Sequence, residues 1–185
     1  MGQRRQNQSG FTLGELMMTL TVAGVTLALA IPNFQTITRN NRQATSVNQL
    51  VSAMHLARSE AVTRNMQVTL CPSTDGAACG DGWENGWIVF PDRDQDRVVD
   101  AGEDILSSAT PADSLSLESG EFADSITFRP NGRAMADDFD ANSGSFTFCD
   151  PRGAEFARVV QIGPTGQPTV PHDTSGLDLE CPEGD

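Results

Sequence analysis

Lysine is absent from this sequence. All 12 basic residues are arginine, they face 25 acids, and the formal net charge is -13. A surface of that sign stays soluble and repels polyanions, which argues against bulk nucleic-acid binding. Histidine is scarce, with only His55 and His172, and no two cysteines form a CxxC pair. Zinc-like ligand spacing is therefore missing. So are GxSxG, HExxH, a phosphate loop and any Cys/His pairing, so no motif supports catalysis. Repeats and long low-complexity stretches are lacking too. The four cysteines, Cys71, Cys79, Cys149 and Cys181, read as two disulfides in an oxidising compartment.

What the chain does have begins at its N-terminus. Residues 1–10 (MGQRRQNQSG) are polar and basic, and an apolar run follows from Phe11 to Ile31, ahead of Pro32. Those 21 residues span about 31 Å as a helix, the thickness of a hydrocarbon core. Thr12, Thr19, Thr21 and Thr26 dilute the run, but a helix can return their hydroxyls to its own carbonyls. Basic residues before the span put the N-terminus in the cytoplasm and the rest outside it. A secretory signal would carry its cleavage site after a shorter apolar core. Here the candidate site precedes the apolar segment, which would survive cleavage. Glu15 is the one ionised side chain in the span and needs a partner or an exit to water. If the chain is cut after Gly10, the new amine of Phe11 is one candidate partner; snorkelling to the headgroups is the other.

Gly10-Phe11-Thr12-Leu13-x-Glu15, the apolar helix and Pro32 together resemble the class III leader of type IV pilins and type II secretion pseudopilins. The resemblance implies a membrane aspartyl peptidase that cuts after Gly10 and methylates Phe11. It also implies that Glu15 guides assembly by pairing with a neighbouring subunit's N-terminus. Gly14 departs from the bulky aliphatic residue more usual there, which slightly lowers local helix propensity.

Beyond Pro32, which is expected to kink the helix, an amphipathic pattern starts. Phe34, Ile37, Ala44, Val47, Val51, Met54, Ala57 and Ala61 form an apolar stripe; Arg39, Arg42, Gln43, Ser46, Gln49, Ser52 and Arg58 lie opposite. The helix should end near Asn65, with His55 on its polar face. Short strands are expected at 67–71, 86–90, 125–128, 145–149 and 157–162, with an edge strand at 166–170 in which Pro168 disfavours a central place. Residues 107–124 read as loop and 171–185 as a polar tail. The expected fold class is α+β and pilin-like: a long kinked N-terminal helix packed on a mostly antiparallel sheet. Its divisions are a leader at 1–10, a membrane or filament-core helix at 11–31, an amphipathic helix at 32–65 and a β-rich globular domain at 66–185.

Two further segments narrow the resemblance. Leu56-Ala57-Arg58-Ser59-Glu60-Ala61 with Val68-Thr69-Leu70-Cys71-Pro72-Ser73, and Trp83-x-x-Gly86-Trp87-Ile88-Val89-Phe90-x-Asp92, are similar to the GspH/FimT branch, and within it most like FimT-type minor pilins. Weaker echoes lie at Phe128-x-Pro130-x-Gly132-Arg133 and Phe148-Cys149-Asp150-x-Arg152-Gly153. Four cysteines allow three pairings. In this layout Cys71–Cys79 would staple a strand end and Cys149–Cys181 would pin the tail. Trp83 and Trp87 read as core residues.

The sharpest local pattern follows Phe90. As a twelve-residue loop, 92–103 puts Asp92, Asp94, Asp96, Asp100 and Glu103 at positions 1, 3, 5, 9 and 12, a spacing that suits calcium. Against it, Arg97 occupies position 6, where the turn wants glycine, Arg93 and Arg97 offset the charge, and a strand precedes the loop. The sequence favours a solvated hairpin turn with no cofactor, calcium being the alternative. For DNA, the basic Gly-Arg-x-Arg stretch of some FimT-like proteins corresponds here to Gly166-Gln167-Pro168-Thr169, without either arginine. Only Arg129, Arg133, Arg152 and Arg158 could cluster instead, so DNA is not an expected partner.

The resemblance implies a minor pilin, an assembly subunit rather than an enzyme, with a prepilin peptidase, other pilins and the inner membrane as partners. Its globular domain would face the periplasm until the subunit enters a pilus. A GspH-type pseudopilin of type II secretion is the alternative, and a plain single-span protein with a periplasmic domain a third.

Overall fold

The computed structural model describes residues 10–136 and 142–172, with Leu179 and Cys181. Residues 1–9 of the expected leader, and most of the tail, lie outside the described residues. The chain divides into two units, one up to Asn41 and one from Arg42 onward.

In the first unit a single element dominates. Helix α1 runs Leu13–Arg64, 52 residues, and continues through Pro32 into the second unit. Every side chain from Phe11 to Ile37 is exposed. The threonine hydroxyls do return to the backbone: Thr19 donates to Leu16 O, Thr21 to Met17 O and Thr26 to Val22 O and Ala23 O, at 2.8–3.0 Å. Each hydroxyl is thus satisfied within the helix, as a hydrocarbon surrounding would require. Beside Pro32, Asn33 Nδ2 donates to Leu29 O at 3.0 Å.

In the second unit the helix turns one stripe inward: Gln43, Ser46, Val47, Leu50, Ala53, Met54, Ala57 and Ala61 are buried. The stripe differs from the expected one: Leu50 and Ala53 join it, and two further pairs change sides. Phe34 and Ile37 belong to the first unit and are exposed. Gln43 and Ser46, assigned to the polar face, are inside because each meets a backbone group that needs a partner. Gln43 Nε2 donates to Phe148 O and Phe156 O at 3.2 and 2.9 Å, and Ser46 Oγ accepts from Ala112 N at 2.9 Å. A buried polar side chain costs little once it is so bonded. The helix ends where Asn65 takes a left-handed φ of 52° and Met66 N donates to Ala61 O, a Schellman-type stop.

The strands are β1 (Gln67–Pro72), β2 (Trp87–Asp92), β3 (Ser107–Ala109), β4 (Ser116–Glu118), β5 (Ile126–Phe128), β6 (Ala134–Met135), β7 (Gly144–Cys149), β8 (Arg158–Ile162) and β9 (Pro168–Thr169). Among the described residues they form two antiparallel sheets, ordered β3-β2-β1-β5-β6 and β4-β7-β8-β9, where one was expected. Pro168 does sit on an edge strand. The expected loop at 107–124 contains β3 and β4. Three-residue strands of Ser, Ala, Leu and Glu carry no alternation to read, and they form because β2 and β7 offer open edges.

Period-two alternation then assigns the faces. Val68, Leu70, Trp87 and Val89 join the helix stripe, Phe128, Phe146, Phe148 and Val160 in one main core. Trp83 and Trp87 both belong to it; Trp83 Nε1 donates to Phe122 O at 2.8 Å, and its ring meets Phe146 edge-on at 4.9 Å. Cys71, Ile88 and Phe90 point to the opposite face, where Cys79, Val99 and Ile105 cover them. The segment after β2 therefore folds back over its own strand, which fixes the position of the acidic turn.

Candidate functional site

Two places carry chemistry beyond packing: the start of α1 and the turn after β2. At the first, Gly10 and Phe11 are exposed and precede the helix. Thr12 caps it: Glu15 N donates to Thr12 Oγ1 at 3.2 Å, while Glu15 Oε2 accepts from Thr12 N at 3.4 Å. This reciprocal arrangement is a capping box, which satisfies two otherwise orphaned amides. Glu15 thus has a partner inside its own chain besides the two weighed for it above. Thr12 is a functional neighbour of Glu15 beyond the residues named from the motif, and Thr-x-x-Glu before an apolar run is its sequence signature.

At the second place, a carboxylate oxygen of each of Asp92, Asp94 and Asp96 lies within 4.8 Å of the others. Asp92 is buried and Asp94 and Asp96 are exposed. Thr69 Oγ1 donates to Asp92 Oδ2 at 3.0 Å, and Thr69 in turn shares a 2.9 Å bond with Thr127. Burial pushes the Asp92 carboxyl above its ordinary range, opposed by the Thr69 bond and the Gln95 amide. Asp100 is also raised, first by the charge of Asp96, then by desolvation and by Asp94 and Glu103. Gln95 and Arg97 both take left-handed φ, 68° and 65°, so position 6 adopts the conformation glycine would favour although it is arginine. Glu103 plays another part than the ligand its spacing suggested. Its Oε1 accepts from Arg93 N at 2.7 Å and its Oε2 from Asp100 N at 3.2 Å, so both oxygens brace the turn.

Of the four arginines named for a basic patch, Arg133 is exposed and Arg129, Arg152 and Arg158 are half-buried. Arg152 pairs with Asp150 and stacks over Phe156 at 4.4 Å; Arg129 Nε lies 3.2 Å from the Met135 sulfur. Arg58, from the helix, donates to Gly132 O at 2.9 Å, joining two of the sequence segments that carry the resemblance. The cysteines pair Cys71–Cys79 and Cys149–Cys181. Within the shorter loop, Asp75 Oδ1 accepts from Ala77 N and Ala78 N, and these bonds lower its carboxyl below the usual range.

Residues 46–166 match the family model described as type II transport protein GspH, about two thirds of the chain. The chain belongs to the GspH family of pilin-like proteins. Over 98 residues it is 35% identical to the pilin-like protein PilA1 of Thermus thermophilus, covering 52% of this chain and 56% of the relative. This GspH-family chain thus spans about half the length of that curated relative. Its fold is similar to that of the type IV minor pilin FimU of Pseudomonas aeruginosa, with a TM-score of 0.54 at 20% identity over 73% of this chain and 92% of FimU. A second crystal form of FimU gives 0.51 at 18% identity, over 69% of this chain and 91% of that one.

Proposed function

We propose that this chain is a minor pilin, an assembly subunit of a type IV pilus. The observation that carries the reading is the start of α1: a polar leader, the Gly10–Phe11 junction, the Thr12–Glu15 box, and an apolar helix exposed on every side to Ile37. A prepilin peptidase cuts after Gly10 and methylates Phe11. The subunit waits in the inner membrane with its globular domain in the periplasm, then enters the filament as its helix packs among those of other pilins. Glu15 exchanges its contact with Thr12 for the amine of a neighbour's Phe11, a charge pair that sets register. Cleavage and methylation are done to the chain by its partner, so the reading asks no catalysis of the chain itself.

The test is to purify the full chain from membranes and determine its mature N-terminus by mass spectrometry. A first residue of methyl-Phe11 is expected. Glu15→Ala should still be inserted and cut, yet be reduced at least tenfold in sheared filaments; wild-type incorporation would overturn the role given to Glu15. The family model's own description keeps a second reading in view, a pseudopilin of type II secretion. Deleting the gene distinguishes them: loss of surface pili supports the first, and intact pili with exoproteins retained in the periplasm support the second.

A further inference from the structure

Asp92 is an acid that the fold of the head leaves half used. It closes β2 with no exposed surface, and its Oδ2 is held by Thr69. Its other oxygen, Oδ1, accepts no hydrogen bond of normal geometry among the described residues, although the backbone amides of Gln95 and Arg97 lie close enough to act on the carboxyl. A buried carboxylate oxygen in that state is costly unless something else neutralises it.

The neighbouring groups add net negative charge, since the loop from 92 to 103 sets five acids against the two arginines Arg93 and Arg97. Asp94 and Asp96, both exposed, come back to within 4.8 Å of the buried acid, oxygen to oxygen. Three like charges at that spacing repel, and a solvated turn would let the two exposed ones swing away. Two left-handed non-glycine residues, Gln95 and Arg97, hold them there instead, and Glu103 braces the loop from behind with both of its oxygens. Two oxygens that each lie about 2.4 Å from a shared calcium ion are at most about 4.8 Å apart, so the three carboxylates are close enough to share one.

We propose that Asp92, Asp94 and Asp96 bind a calcium ion, with the buried Asp92 as its anchor. An all-oxygen, all-carboxylate set selects a hard cation. The exposed pair leaves the coordination number open and lets water complete it, which suits calcium; magnesium demands a near-ideal octahedron. Glu103 is committed to backbone amides, so the site lacks the bidentate acid that closes tight twelve-residue loops. Its affinity should be that of extracellular modules, about 0.1–1 mM. The segment that carries the site also covers Cys71, Ile88 and Phe90, through Val99 and Ile105. An ion there would fasten that cover, which is why binding should register in global stability.

The experiment uses the full chain in detergent micelles, stripped with EDTA and dialysed. Titration calorimetry with calcium chloride should show saturable heat with a Kd of about 0.1–1 mM, and 10 mM calcium should raise Tm by a few °C. The double variant Asp94→Asn/Asp96→Asn should lose both responses. Without calcium it should melt at or above the wild-type temperature, because its like charges are gone. The proposal is overturned by absence of heat and shift at 10 mM calcium, by a double variant that titrates like wild type, or by an equal response to magnesium chloride, which would mark general charge screening.

Discussion

Gly166 sits at a φ of +71°, against the turn that begins at Arg129. A Cβ there would overlap Gly132 O and come within 2.9 Å of Ala134 N, both backbone atoms that cannot step aside. Gly132 O is also the acceptor of the Arg58 bond, so helix α1, the 129–133 turn and the 163–166 turn share one junction. Gly166→Ala should lower stability by about 2–3 kcal/mol, from backbone strain and overlap together, measured as a shift of the urea midpoint at unchanged slope. A variant within 0.5 kcal/mol of wild type would show that the two turns are not in contact. In the sequence, position 166 stands out only for the arginines missing after it; its packing role depends on a residue 34 positions earlier and no local pattern reports that. Gln43 and Ser46 were hidden for the same reason. Their polar chemistry placed them outside, while carbonyls and an amide more than sixty residues away draw them in.

Among elements, those with a strong period were legible and those formed on a neighbour's edge were not. Helix α1 carries its own length, cap and stop, and β1, β2, β7 and β8 announce themselves by alternation. Strands β3, β4 and β6 have two or three residues each and exist through their partners. The acidic turn lies between these cases: its spacing was readable, but the burial of Asp92 was not, since that follows from which face of β2 meets the returning loop. The strain of the turn gives a prediction of its own. At Gln95, φ is +68°, a conformation costing about 1–2 kcal/mol for a residue with a Cβ. Gln95→Gly should relieve most of it and, after the entropy glycine adds to the unfolded chain, raise stability by about 0.5–1 kcal/mol. A rise of about 1–4 °C in Tm in calcium-free buffer is the expected reading, and a fall would mean that the Gln95 side chain, bonded to Gln67, matters more than its backbone.

For the whole molecule, the long disulfide matters most. Cys149 and Cys181 are 32 residues apart, and closing a loop of that length removes about 3–4 kcal/mol of unfolded-state entropy in the chain-entropy model. Replacing both by serine should cost about that much in a denaturant melt, while the helix, read by far-ultraviolet circular dichroism, stays at wild-type content. No change in midpoint would mean that the crosslink constrains nothing the sheet had not already fixed.

The same bond has a consequence for wear. Strands β8 and β9 lie inside the covalent ring it closes. A protease that clips any single peptide bond between the two cysteines leaves both fragments attached, and β9 cannot be shed. Breakage becomes visible only when a reductant is added, as one band that turns into two. A subunit built this way can be nicked in service and still be counted as whole.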